Sequence, residues 1–228
     1  MKKRLLAILL FFALAFTTIA QSTKSYVTSG GEMIFSLATI DNSGVTNGNI
    51  LRWSPAFNLQ VFGNYDFNGH VGFIYGGALR NVGFIYEDPN NSGVRKKFRN
   101  YNIGIPVGIK VGNLHKLFAY GGYEIEFPIN YKEKTIVNEE KTKFSTWFSS
   151  RVPALYHTIF IGVQFPYGVS LKFKYYLSGF FNQNYTQNDG IQPYKGLKAN
   201  VFYFSISTSL FKGNDIYVKE YRREQQVY

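Results

Sequence analysis

The 228-residue chain has no cysteine, so it has neither a disulfide framework nor the acceptor thiol of a lipidated envelope protein. A formal charge of +11 comes with 18% aromatic residues and 22 glycines, a mixture unlike that of an ordinary soluble domain. No clustered histidines, no phosphate loop and no glycine motif opening a helix are present, which excludes the familiar metal and nucleotide sites and leaves no cofactor to assign.

The first segment reads as an export signal. Lys2, Lys3 and Arg4 precede an apolar run over 5–16, and Thr18-Ile19-Ala20 forms a cleavage site ahead of Gln21. That run is shorter than the roughly 20 apolar residues of a comfortable spanning helix. Residues 1–20 are therefore assigned as a signal peptide, with the mature chain starting near Gln21. Removing its three cations leaves 22 basic against 14 acidic residues, or +8. A basic exported chain meets phosphate-bearing lipid rather than nucleic acid, so the expected partners are outer-membrane lipid and lipopolysaccharide.

Beyond the signal, apolar residues recur every second position. In 52–62, Trp53, Phe57, Leu59 and Val61 alternate with Arg52, Ser54, Ala56, Asn58 and Gln60. In 100–111, Tyr101, Ile103, Ile105, Val107 and Ile109 alternate with Asn102, Gly104, Pro106, Gly108 and Lys110. In 169–181, Leu171, Phe173, Tyr175 and Leu177 alternate with Ser170, Lys172, Lys174 and Ser178. Eight strands are predicted, at about 32–40, 51–63, 70–86, 98–111, 117–132, 155–165, 169–182 and 197–211.

The connectors alternate in length. Those at 64–69, 112–116 and 166–168 are short, whereas 41–50, 87–97, 133–154 and 183–196 are long and rich in Asn, Lys, Glu and Gly. Outer-membrane barrels keep short turns in the periplasm and long loops outside. The predicted fold is all-β: an eight-stranded antiparallel up-and-down transmembrane β-barrel over 32–211, with a periplasmic stub at 21–31 and a periplasmic tail at 212–228.

A soluble barrel would show the same alternation, so the polar face decides. On a soluble protein it would be dense in Lys, Glu and Asp. Here it is largely Gly72, Gly76, Gly104, Gly108, Gly122, Gly162, Asn102, Ser205 and Ser207. Small residues suit the inside of a narrow barrel, where they make room for Tyr120, Tyr176, Tyr203 and Phe160. Trp53, Tyr86, Tyr101, Tyr131 and Phe181 are expected in an outer aromatic belt, and Phe62, Phe67 and Tyr167 in an inner one.

The run Gly121-Gly122-Tyr123-Glu124-Ile125-Glu126-Phe127-Pro128-Ile129-Asn130-Tyr131-Lys132, the run Gly162-Val163-Gln164-Phe165-Pro166-Tyr167-Gly168 and the aromatic last strand resemble the small outer-membrane β-barrel, or porin-family, proteins of Bacteroidota. The resemblance covers nearly the whole mature chain. It implies an eight-stranded barrel of varied role, including accessory parts of secretion machinery.

The nearest thing to a chemical constellation lies on the inward parity. Glu124 and Glu126 on the fifth predicted strand share the lumen with Lys172 and Lys174 on the seventh, Lys110 on the fourth and Arg52 on the second. Such charges must pair or line water. They are expected to form a plug of salt bridges; the alternative is a gate in which Glu126 releases its lysine and opens a narrow porin-like path for small polar solutes.

An enzyme would need a nucleophile, a base and an orienting group at the membrane boundary. His70 and His115 sit beside predicted turns. His157, with Ser149, Ser150 and Glu139 or Glu140 upstream, is the candidate for a lipid-A acyl hydrolase or transferase, but no local motif joins these residues. The expectation is a non-enzymatic barrel with a structural, adhesive or envelope-machine accessory role. Arg95, Lys96, Lys97 and Arg99, with Lys132, Lys134, Lys141 and Lys143, place positive charge near outer-leaflet phosphates. In the tail, Tyr217, Tyr221, Glu224 and Tyr228 would share one helical face suited to a periplasmic or envelope protein partner.

Overall fold

The computed structural model describes residues 25–42, 49–87, 93–138 and 140–209. The expected signal segment and the expected tail bearing Tyr217, Tyr221, Glu224 and Tyr228 lie outside the described residues. The strands are β1 (Ser25–Asn42), β2 (Asn49–Ile50), β3 (Arg52–Ser54), β4 (Leu59–Asp66), β5 (Val71–Glu87), β6 (Val94–Asn113), β7 (Leu117–Val137), β8 (Glu140–Trp147), β9 (Tyr156–Gln164), β10 (Val169–Tyr176) and β11 (Leu197–Ser209). Hydrogen-bonded neighbours run β1, β4, β5, β6, β7, β9, β10, β11, and β11 pairs back to β1 from Gly30 opposite Ser209 to Asn42 opposite Leu197.

The ring therefore has eight staves. The short β3 continues the second stave beyond β4, and β8 is an outrigger on the far end of β7. Each stave pairs with both of its neighbours over at least part of its length, and closing the ring is what keeps sheet edges from the acyl chains. Short turns join β4 to β5, β6 to β7 and β9 to β10 at the end where Ser25 and Ser209 lie, which by connector length is the periplasmic end.

Period two sets the two faces. On β6, Ile103, Ile105, Val107, Ile109 and Val111 point out and are exposed, with Ile109 at 58%, while the adjacent Lys110 points in and is 1% exposed. The stretch 103–111 matches the roughly 9–11 residues that a tilted strand needs to cross the hydrocarbon. Tyr120, Tyr176, Tyr203 and Phe160 lie inside. At Gly162 an added Cβ would stand 2.5 Å from the Tyr120 ring, so that tyrosine needs the glycine opposite it.

The structure departs from the expected boundaries where the pattern changes character. β1 starts at Ser25 rather than near 32, with Ser25 opposite Tyr65, so most of the expected stub is barrel wall. Gly30 and Gly31 hide that continuation, since they contribute to neither the apolar nor the polar row. The expected loop 133–154 contains β8, which pairs with β7 from Asn130 opposite Trp147 to Val137 opposite Glu140. Water bathes this hairpin on its outer side, so it carries no apolar row to mark it. The seventh predicted strand ends at Tyr176 rather than 182, and the chain there turns inward.

The second predicted strand is broken at 55–58, where Pro55 cannot donate to a ladder and Phe57 adopts φ 61°. Side chains close the resulting seam against β5. Ser36 Oγ donates to the Gly83 carbonyl (2.6 Å), and Ser54 Oγ donates to that of Asn81 (3.2 Å). The Asn81 N–H donates to Asn58 Oδ1 (2.7 Å). Arg52 donates to both the carbonyl and the Oδ1 of Asn81, at 3.1 and 2.6 Å.

Candidate functional site: a stratified lumen

Three layers fill the tube. The middle one is ionic, and four alternate staves of the eight build it: Glu32 from β1, Arg80 from β5, Glu124 and Glu126 from β7, and Lys172 and Lys174 from β10. The sign of the charge thus alternates around the ring. Every member is buried. Arg80 grips Glu124 with Nε on Oε1 (3.0 Å) and Nη2 on Oε2 (3.2 Å), a bidentate pairing, and its Nη1 donates to Glu32.

Lysines complete the circuit. Lys172 lies 2.8 Å from Glu32, and Lys174 lies 2.7 Å from Glu124 and also pairs with Glu126. Glu126 accepts further bonds from Asn102 (2.6 Å) and the Tyr176 phenol (2.5 Å), and Glu32 accepts one from Ser205. Three carboxylates facing three cations leave the layer formally neutral. Such pairing is what makes ionised groups tolerable in a confined space.

Above this layer lies an aromatic cap. Past Tyr176 the segment 177–196 folds over the tube, fixed by the Phe180 N–H on the Ala199 carbonyl (2.7 Å) and the Asn182 N–H on that of Arg151 (2.9 Å). Phe181 stacks on Tyr194 at 4.4 Å and meets Phe98 edge-on at 4.9 Å, while Phe180 meets Phe84 at 5.2 Å. Arg151 lies 4.5 Å over the Phe144 ring and donates to the Tyr194 hydroxyl (3.0 Å). Burial pushes that phenol above its ordinary range.

Below the ionic layer is a cup of about 520 Å³, with Tyr26, Phe62, Lys110, Phe118, Tyr120 and Tyr167 in its lining and the periplasmic turns at its rim. Lys110 bounds it, donating to Asp66 (2.5 Å), the Tyr26 hydroxyl (2.8 Å) and Asn64 (3.1 Å).

Of the six residues expected to form the ionic network, Glu124, Glu126, Lys172 and Lys174 come together. Two do not. Lys110 belongs to the periplasmic cup, because its own strand carries it towards that end. Arg52 stays apart from the carboxylates and seals the wall seam, donating to Asn81 where β3 stops short of pairing with β5. The network instead includes Glu32 and Arg80, both on inward parity in predicted strands, so alternation alone could have found them. The expected belts also need correction. Tyr86, Tyr131 and Phe181 are buried in the cap, and Phe62 lines the cup. Trp53, Phe67 and Tyr167 are exposed.

The candidate acyl-transfer residues do not assemble. The His157 ring takes the Tyr123 hydroxyl on Nδ1, and its backbone N–H donates to Ser178. Ser149 Oγ accepts the Arg151 N–H, and Glu140 sits opposite Val137 near the hairpin tip. Glu139 lies outside the described residues.

A closed antiparallel ring with apolar rows outside and ions inside has its counterpart in a family model, the outer membrane protein beta-barrel domain, which matches residues 5–209. The chain belongs to this family. Its seat is the outer membrane. No curated protein sequence matches this outer membrane beta-barrel domain. Among solved structures, it is similar to the attachment invasion locus protein Ail of Yersinia pestis in complex with the heparin analogue sucrose octasulfate (12% identity, 81% of this chain, 99% of that one, TM-score 0.40). It is also similar to Neisserial surface protein A (10%, 82%, 99%, 0.41) and to CarO2 of Acinetobacter baumannii (11%, 81%, 99%, 0.38). Likeness this distant carries nothing about what this outer membrane beta-barrel domain binds.

Proposed function

We propose that this is a closed, non-enzymatic outer-membrane barrel that works at its extracellular face as an adhesive, structural or envelope-machine accessory protein. One observation carries this reading: the neutral ionic layer and the aromatic cap fill the lumen in series. A gate opened by releasing Glu126 is the weaker reading, because Glu126 is held by Lys174, Asn102 and Tyr176 together. The extracellular hairpin supports an external role, with Trp147 and Phe148 exposed at 66% and 79% beside a basic surface. Exposed aromatic rings and cations are the usual anchors of a recognition surface. Lipopolysaccharide is the partner that this surface suits. The motifs at 121–132 and 162–168 support a place among the small barrels of Bacteroidota, and residues 1–20 a role as export signal.

Planar bilayers test the reading. Purified barrel is expected to add no stepwise conductance. Reproducible single-channel steps from the unaltered protein would replace the closed barrel with a channel.

A further inference from the structure

The outward rows at the extracellular end of β6, β7 and β8 are cationic. Register places Lys97 opposite Lys134, and Lys134 opposite Lys143, so three lysines lie side by side on adjacent strands. One row nearer the membrane, Arg99 faces Lys132; one row farther out, Arg95 and Lys141 flank Ile136. Their direction follows from parity, since Phe98 and Tyr131 on the intervening positions are buried inside. Lys132 Nζ lies 4.9 Å from the outward Tyr101 ring. Glu87, 3.7 Å from Arg95, is the acid among the described residues of these rows.

Like charges directly opposite one another destabilise an antiparallel pair. Burial, and then the Arg52, Arg99 and Lys134 charges, push the Lys97 ammonium below its usual range. A multivalent anion would relieve this. Neighbouring strands are about 4.8 Å apart, close enough for three lysine side chains to converge on one phosphate.

The rows beneath say which kind of anion. Membrane-ward of the cations comes Tyr101, with Phe57 edge-on at 6.2 Å, and then the exposed Ile103, Ile105 and Phe127. Cationic, aromatic and apolar rows thus follow one another in the order of phosphate, sugar and acyl chain. We propose that Lys97, Lys134 and Lys143, aided by Arg99 and Lys132, form a docking site for the phosphate groups of an outer-leaflet glycolipid. A soluble polyanion could use the cations but not the apolar rows. The inference rests on the external role proposed above and names its ligand class and residues.

The test titrates purified barrel in neutral detergent with phosphorylated lipid A, with the same lipid after dephosphorylation, with inorganic phosphate and with heparin. Saturable, salt-weakened binding of the phosphorylated lipid is expected to exceed the other three. The Lys97→Gln, Lys134→Gln, Lys143→Gln triple variant should bind roughly 100-fold more weakly, at about fivefold per lysine, while keeping the compact form on an unboiled gel. Should the triple variant not fold, Arg99→Gln with Lys132→Gln is expected to weaken binding roughly 30-fold. Equal binding of both lipid forms, no binding, undiminished binding by a folded variant, or tighter binding of phosphate or heparin would overturn the site. Conductance by the barrel would sink the closed-lumen reading and leave these titrations unchanged, so the two failures are distinguishable.

Discussion

Replacing Arg80 by methionine would leave Glu32 and Glu124 without their shared counter-ion in a section of the tube closed above by aromatic rings. Breaking a buried pair from one side costs about 3–5 kcal/mol. Arg80→Met is therefore expected to lower the temperature at which the compact band on an unboiled gel disappears, and to do so more than Leu171→Ala on the outward face. Adding Glu124→Gln to Arg80→Met should recover part of the loss. A glycine sets the same geometry from the other side. A Cβ on Gly104 would stand 2.0 Å from Glu124 Oε1, where no atom fits. Gly104→Ala should displace that carboxylate and cost about 1–3 kcal/mol, read in the same melting assay. The charges of β7 and β10 were legible because they occupy the inward row of a strict alternation. Glu32 and Arg80 obey the same parity but stand out less, Glu32 because it falls on a predicted strand end and Arg80 because the apolar Ala78, Val82 and Phe84 share its row.

Elements that face lipid were legible in the sequence, and elements that face water or cross the lumen were not. β6 carries an outward apolar row from Ile103 to Val111, β9 one from Ile159 to Val163 and β11 one from Phe202 to Ile206, and their predicted bounds lie within a few residues of the observed ones. The β7–β8 hairpin has no such row, since both sides of it beyond Asn130 lie outside the hydrocarbon. Segment 177–196 continues the alternation of β10 only to Leu177, after which Phe180 and Phe181 serve the cap instead of the wall. Removing a large buried ring costs about 3–5 kcal/mol. Phe181→Ala should accordingly lower the melting temperature yet still give no conductance, because the ionic layer beneath remains intact. Conductance by that variant would show that the cap, rather than the salt bridges, seals the tube.

At the scale of the whole molecule, the solvent assignment and the charge distribution agree. Hydrocarbon-facing rows girdle the wall, and basic rows lie just beyond their extracellular margin. The cup lies at the end of the short turns, with Leu114, His115, Pro166 and Tyr167 in its lining, so the two ends of the barrel present different chemistry. Hairpin spacing and composition were enough to recognise this plan, whereas the seam at 52–58 depends on side chains reaching across strands that are distant in sequence. One arithmetic property of the ionic layer bears on assembly. The first four staves contribute Glu32 and Arg80, and the last four contribute Glu124, Glu126, Lys172 and Lys174. Each half of the polypeptide therefore carries its own counter-ions into the bilayer. A hemibarrel that has not yet met its complement can already neutralise itself at that depth, and joining the halves exchanges partners rather than rescuing stranded ions.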